Sequence, residues 1–271
     1  MSHKCRLQSD RNQIPTARCE KTPKAAVANP SKTKVALIGA SGYVGEELVR
    51  LLLRHPYAEL AAVTSRQSAG KRLADVFPRL SHHQKAGDLR FGASDPVQLA
   101  QMAQIIFLAL PHGFAAEFAK PLVQTSARIV DLSADFRIKD AKVYKEFYGN
   151  DHPAPDLLGE AVYGLPEIYR AEISGATLVA CPGCYPTSIL LPLLPLIRER
   201  VLNLASILVT SLSGVTGAGR KVEADYLFAE CNESMRPYGV PKHRHLSEIE
   251  EQLSGLAGEK SQFNSRPIWF R

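Results

Sequence analysis

The chain of 271 residues has no apolar run approaching the roughly 18 residues a membrane span requires, so it is not read as a transmembrane protein. It also has few cysteines. The five, at positions 5, 19, 181, 184 and 231, are too scattered to staple a chain this long. A reducing cytoplasm is the expected location, and the N-terminus lacks the apolar core of a secretory signal. There is no charge excess on the body of the chain either. The net charge is +6, but residues 1–34 alone carry 8 Lys or Arg against 2 acids, and 25 bases balance 25 acids in the rest. A nucleic-acid-binding face is therefore not expected on the folded part, and neither nucleic acid nor membrane is an expected partner. What remains, 45% hydrophobic and 22% charged residues with 18 Gly and 18 Pro, describes an ordinary globular chain of one large domain or two smaller ones. Residues 1–33, rich in Lys, Ser, Thr and Gln, read as a disordered basic leader, with an organelle transit peptide as the alternative.

Regular structure is expected from Lys34 onward. Lys34–Ile38 is a short apolar run of the kind found in buried parallel strands. It ends in Gly39-Ala40-Ser41-Gly42-Tyr43-Val44-Gly45, after which Val44, Leu48, Leu51 and Leu52 recur at helical spacing between Glu46, Glu47 and Arg50. Leu60–Thr64, Ile105–Leu110, Ile129–Leu132 and Leu178–Cys181 read as further strands, alternating with helical stretches such as Phe114–Val123. That alternation predicts an α/β fold, a Rossmann-type doubly wound parallel sheet over residues 34–183. Beyond it lies a second, α+β region over 184–260. There Thr187–Ile197 is very apolar, and prolines at 192 and 195 predict a kinked or broken helix. Ile207–Leu212 reads as a strand, and Ser247 with Glu250 has the spacing of a capping box opening a helix that carries Ile249, Leu253 and Leu256. Residues 261–271 form an atypical tail without periodicity.

Chemistry concentrates in four places. Gly39, Gly42 and Gly45, between a strand and a helix, have the spacing of a dinucleotide-binding turn. One glycine lets the chain turn off the strand, one lets backbone approach a pyrophosphate, and one lets the helix pack closely. A purely structural turn in another α/β domain is the plain alternative. The second strand ends in Thr64-Ser65-Arg66, without the acid that would hold a ribose 2′-hydroxyl, so Arg66 favours NADP(H) over NAD. Cys184 lies between a strand end and an apolar helix, where the positive end of the helix dipole favours an anionic sulfur; a buried structural cysteine is the alternative. In an extended segment His243 and His245 would share one face, as proton carriers or as solvated surface. Cys181-x-x-Cys184 as a zinc or redox pair finds no second close cysteine pair in the chain, and no metal is expected.

The ordered set of motifs resembles the N-acetyl-gamma-glutamyl-phosphate reductase family, NADPH-dependent enzymes of arginine biosynthesis. The matching stretches are the glycine turn, Ala109–Gly113, Asp131–Arg137, Tyr163–Glu167, Cys181–Thr187, Ser213–Arg220 and Lys242–His245. The resemblance implies that Cys184 is the nucleophile and His243 the acid/base, with His245 as the less favoured candidate. It also implies a small acyl phosphate as substrate and a thioester intermediate. Candidate cofactor contacts are Gly39, Ser41, Gly42, Tyr43, Val44, Gly45, Ser65, Arg66 and Pro111. Ser213, Arg220 and His245 are candidate substrate contacts, the Ser213–Arg220 loop offering backbone N–H groups and a guanidinium to anions. Aspartate-semialdehyde dehydrogenase and a carrier-linked aminoadipyl-phosphate reductase are the rival readings within the same chemistry. The family continues past residue 260 with strands not recognisable here. The second region is therefore expected to be an incomplete substrate/dimerisation domain, a homo-oligomer (dimer or tetramer) is expected only of the complete fold, and a truncated product retaining nucleotide binding alone is the further alternative.

Overall fold

The computed structural model describes residues 31–203, 207–239 and 242–258, together with the backbone of 269–270. Nearly all of the expected leader and most of the expected tail lie outside the described residues. The chain begins with β1 (Thr33–Ile38), α1 (Tyr43–Arg54), β2 (Ala58–Thr64), the short α2 (Leu73–Val76) and α3 (Gln84–Asp88), and β3 (Phe91–Gly92). It continues through α4 (Pro96–Met102), β4 (Ile105–Leu108), α5 (Ala115–Leu122), β5 (Arg128–Asp131), α6 (Ala141–Tyr148), β6 (Val162–Tyr163), α7 (Pro166–Gly175) and β7 (Leu178–Ala180). The remaining elements are α8 (Cys184–Arg198), β8 (Thr210–Ser211), α9 (Phe228–Cys231), α10 (His245–Ala257) and β9 (Trp269–Phe270).

Seven strands form one parallel sheet in the order β3-β2-β1-β4-β5-β7-β6. The reason is visible in β1. Val35 and Leu37 enter one core with Val49, Leu52 and Leu53 of α1, while Ala36 and Ile38 enter another with Ala115, Ala119 and Leu122 of α5. A strand buried on both faces has no polar side to alternate with, which is why its sequence is a continuous apolar run. The order reverses direction between β1 and β4, so a crevice opens at their carboxyl ends, the usual ligand position in such sheets. A third core joins α8 to α10 through Ile189, Leu190, Ile197, Ile249 and Leu253, with Tyr163 of β6.

Four local expectations are corrected. The buried face of α1 is Gly45, Glu46, Val49, Leu52 and Leu53, whereas Val44 and Leu51 are exposed. Close docking of Gly45 sets that stripe: a Cβ there would fall 2.5 Å from the Ala40 carbonyl oxygen. Of the kink or break expected in α8, the break does not occur: the helix runs on through Pro192 and Pro195. Two interior prolines cost about 6 kcal/mol, and burying Ile189, Leu190, Leu194 and Ile197 returns roughly 6–12 kcal/mol, so packing carries the helix through. The Ser247–Glu250 capping box is not formed. The helix starts earlier, at His245, and the Ser247 hydroxyl donates back to the Arg244 carbonyl at 3.0 Å. The strand expected over 207–212 shrinks to Thr210–Ser211, because its only partner among the described residues, β9, offers two residues; Leu208 and Leu212 are exposed.

Candidate active site

A cavity of about 1310 Å³ opens over the β1/β4 crevice and extends to the start of α8 and of α10. Every candidate cofactor, catalytic and substrate residue from the sequence lines it, from the Gly39–Gly45 turn, Ser65, Arg66 and Pro111 to Cys184, Ser213, Arg220, His243 and His245. The three glycines divide their work. Gly39 turns the chain at φ +82°, and a Cβ there would meet the Ala109 carbonyl oxygen at 2.4 Å. Gly42 caps α1, and a Cβ there would meet nothing within 4 Å, so its backbone faces open space. Gly45 packs the helix down. That is the division of labour a pyrophosphate-binding turn needs, so the residues present fit a dinucleotide. Ser65 donates to Ser41 across the crevice at 2.9 Å, and Arg66 is exposed over the Phe114 ring at 5.5 Å. Pro111 lies in the turn after β4, which the buried Asp135 holds by accepting the N–H groups of Gly113 at 2.7 Å and Ala116 at 2.9 Å.

The two cysteines of the Cys181–Cys184 turn meet different fates. Cys181 is largely enclosed, and burial together with nearby Asp131 pushes its thiol up to about 11. Cys184 begins α8 and is exposed at the cavity. The described cysteines 181, 184 and 231 are free thiols. Tyr185, one residue on, packs edge-on against His243 at 5.4 Å and His245 at 5.8 Å, and the two histidine rings lie 4.9 Å apart. They meet through a turn entering α10, not through an extended segment. Burial, then the charge of Arg244, lowers His243 to about 4. Burial, then His243, Arg137 and Arg244, lowers His245 to about 3. Both rings are therefore neutral near pH 7. The His245 backbone N–H donates to His243 Nδ1 at 3.1 Å, which leaves the proton of the neutral His243 ring on Nε2. The His245 ring edge lies against Gly183, where a Cβ would fall 2.6 Å from Nε2.

Sequence reasoning missed the group that holds this turn in place. Glu248, fully buried on α10, accepts from the Gly183 N–H at 2.9 Å and from Tyr163 Oη at 2.7 Å, and faces Arg137 Nη1 at 3.5 Å. Arg137 in turn donates to the carbonyls of Cys181 at 2.7 Å and Leu132 at 3.0 Å. Burial raises the Glu248 carboxyl against the opposing pull of Arg137, Gly183 and Tyr163. Arg137 and Tyr163 stand inside motifs noted in the sequence, but Glu248 sits inside the misread capping box. Glu46 was missed as well: buried, it pairs with Arg79 at 2.6 Å and with Arg220 at 2.7 Å. The Arg220 guanidinium thereby rests on α1, over the Tyr43 ring at 4.9 Å. Among the described residues no cluster of three or more His, Cys, Asp or Glu side chains is arranged to hold a metal, and no helix is long and apolar enough to cross a membrane.

Comparison with known proteins agrees with this geometry. Residues 34–176 match the semialdehyde dehydrogenase NAD binding domain, and residues 184–270 match the semialdehyde dehydrogenase dimerisation domain. N-acetyl-gamma-glutamyl-phosphate reductase of Akkermansia muciniphila is 55% identical over 229 residues, covering 84% of this chain and 66% of that protein. The protein of the same name from Saccharophagus degradans is 45% identical, over 83% of this chain and 64% of its own. This chain thus spans slightly under two thirds of the length of these relatives. Among solved structures, aspartate semialdehyde dehydrogenase II of Vibrio cholerae superposes with a TM-score of 0.57 at 16% identity, over 85% of this chain and 68% of that one, a likeness of fold.

Proposed function

The chain belongs to the semialdehyde dehydrogenase family, on its N-acetyl-gamma-glutamyl-phosphate reductase branch, and from that premise we propose that it reduces N-acetyl-gamma-glutamyl phosphate to the semialdehyde with NADPH, releasing phosphate. The observation that carries this reading is the position of Cys184. An exposed thiol at a helix start shares one cavity with a dinucleotide-type crevice and with two neutral histidines.

Gly42 and the free N–H groups of the first turn of α1 would hold the pyrophosphate, and Arg66 would hold the 2′-phosphate. When bound, the cofactor supplies the hydride that reduces the acyl carbon. The chain's own residues do the rest. The start of α8 favours negative charge on the Cys184 sulfur, and neutral His245, lying against the residue before the nucleophile, accepts the thiol proton as the sulfur attacks. The sulfur anion attacks the acyl carbon, the carbon–oxygen bond to phosphate breaks, and a thioester forms on Cys184. After reduction, negative charge gathers on the substrate oxygen, and the Nε2–H of neutral His243 donates to it. Collapse of that adduct frees the aldehyde and returns the sulfur. Ser213 stands at the substrate end of the cavity, while Arg220 holds the loop carrying it to α1. We further infer a homo-oligomer, dimer or tetramer, built through the region matched to the dimerisation domain, working in the cytoplasm.

The test is NADPH oxidation followed by absorbance with N-acetyl-gamma-glutamyl phosphate, with aspartyl phosphate as the comparison. Turnover of the first and not the second is expected. Cys184→Ser should abolish turnover and keep NADPH binding; retained turnover in that variant overturns the assignment.

A further inference from the structure

Of the six Lys or Arg side chains that line the catalytic cavity, four face a carboxylate. Arg137 faces Glu248, Arg220 pairs with Glu46, Lys221 with Glu223, and Arg236 with Asp225. Arg66, at the end of β2, lies on the dinucleotide side. Arg244 is different. It is exposed, lines the cavity between His243 and His245, and no carboxylate among the described residues lies within ion-pairing distance of it. Its guanidinium rests over the Tyr148 ring at 5.7 Å and reaches His112 Nδ1 at 3.5 Å, an aromatic and neutral setting that aims the charge without cancelling it. The effect of that uncancelled charge is felt at His112, His243 and His245, each of which it lowers.

A guanidinium held by stacking, without a counter-ion among the described residues and lining the same cavity as a nucleophile, is the arrangement that recognises an oxyanion. We propose that Arg244 is a substrate-binding residue that holds an anionic group of the substrate, a phosphate or a carboxylate, against the start of α10 beside Cys184. This rests on the reading of the cavity as an acyl-phosphate site and adds the residue that orients the acyl group for attack.

The experiment uses the full chain and needs no turnover. Cys184 is alkylated at low ionic strength with iodoacetate, an anion, and with iodoacetamide, its neutral analogue, and the rates are read by mass spectrometry on the peptide carrying Cys184. Arg244→Gln should lower the iodoacetate-to-iodoacetamide rate ratio roughly fivefold, while Arg244→Lys, which keeps the charge, should retain most of it. Inorganic phosphate and N-acetylglutamate are added separately as protecting anions. Protection by phosphate that disappears in Arg244→Gln assigns the phosphate; protection by N-acetylglutamate that disappears assigns the carboxylate. An unchanged ratio, undiminished protection by both anions in Arg244→Gln, or no protection of the unaltered chain by either anion overturns the proposal. Absent turnover on the acyl phosphate would instead count against the proposed reaction, so the two failures are told apart.

Discussion

Replacing Glu248 by leucine removes the acceptor on which three donors converge. The Gly183 N–H and the Tyr163 hydroxyl lose their partner, and the buried guanidinium of Arg137 loses its counter-ion. Each orphaned neutral donor costs about 1–3 kcal/mol, and removing one member of a buried ion pair costs about 3–5 kcal/mol. These costs overlap, so a net loss of about 4 kcal/mol is expected, a large part of the 5–15 kcal/mol a protein typically holds. At roughly 2–4 °C per kcal/mol for a chain of this size, the melting midpoint should fall by about 8–16 °C. Glu248→Gln keeps an amide oxygen for Gly183 and Tyr163 but turns an NH2 donor toward Arg137 in place of the charged oxygen, so it should lose about 2 kcal/mol. Thermal unfolding followed by circular dichroism, with urea titration alongside, measures both. A leucine variant within about 1 kcal/mol of the unaltered protein would show that the turn before Cys184 is held by something else, and the account of its rigidity would be withdrawn.

Other consequences can be measured directly. Gly183→Ala would bring a Cβ to 2.6 Å from His245 Nε2 and 3.0 Å from Arg137 Nη1, so one ring or the turn must move; kcat should fall at least tenfold while NADPH affinity stays unchanged. Because the folded values of His243 and His245 are about 4 and 3, against 6.5 in the unfolded chain, the unfolded state takes up protons first as pH drops. The stability these rings contribute is therefore complete above pH 6.5 and is lost as pH falls toward 4, and the acid limb of kcat/KM should lie near pH 4. An acid limb near 6.5 would contradict the burial of these rings. Arg66→Gln should weaken NADPH binding about tenfold and leave NADH binding nearly unchanged in fluorescence titration; equal losses for both would detach Arg66 from the 2′-phosphate.

The sheet was legible because β1 and β4 are apolar on both faces and the Gly39–Gly45 turn follows the first of them. The place of Cys184 at a helix start was legible because a strand end, a Pro-Gly turn and an apolar helix follow one another in the chain. The polar partners were not. Glu46 reads as the exposed side of an amphipathic helix, and the two arginines that compensate its burial come from 33 and 174 residues further along. Glu248 is hidden for a similar reason, since Ser247 and Glu250 around it imitate a cap that the helix, starting earlier, does not use. The proline positions of α8 mislead in the opposite direction, because a local rule about helix breaking says nothing of the four aliphatic side chains that bury against neighbouring elements. Arg244 is a case between the two: its position in His-Arg-His is plain, but that no carboxylate among the described residues pairs with it is a fact of three dimensions.

The hydrogen bond from Gly183 to Glu248 spans 65 positions of chain. During synthesis, the crevice at the ends of β1 and β4 has all its residues long before that acceptor leaves the ribosome. The dinucleotide-type crevice and the held turn before Cys184 are thus written into successive stretches of the message. A nascent chain halted before Leu246 would hold the first without the acceptor that fixes the turn of the second, and its thiol would wait, unaimed, for the helix that carries Glu248.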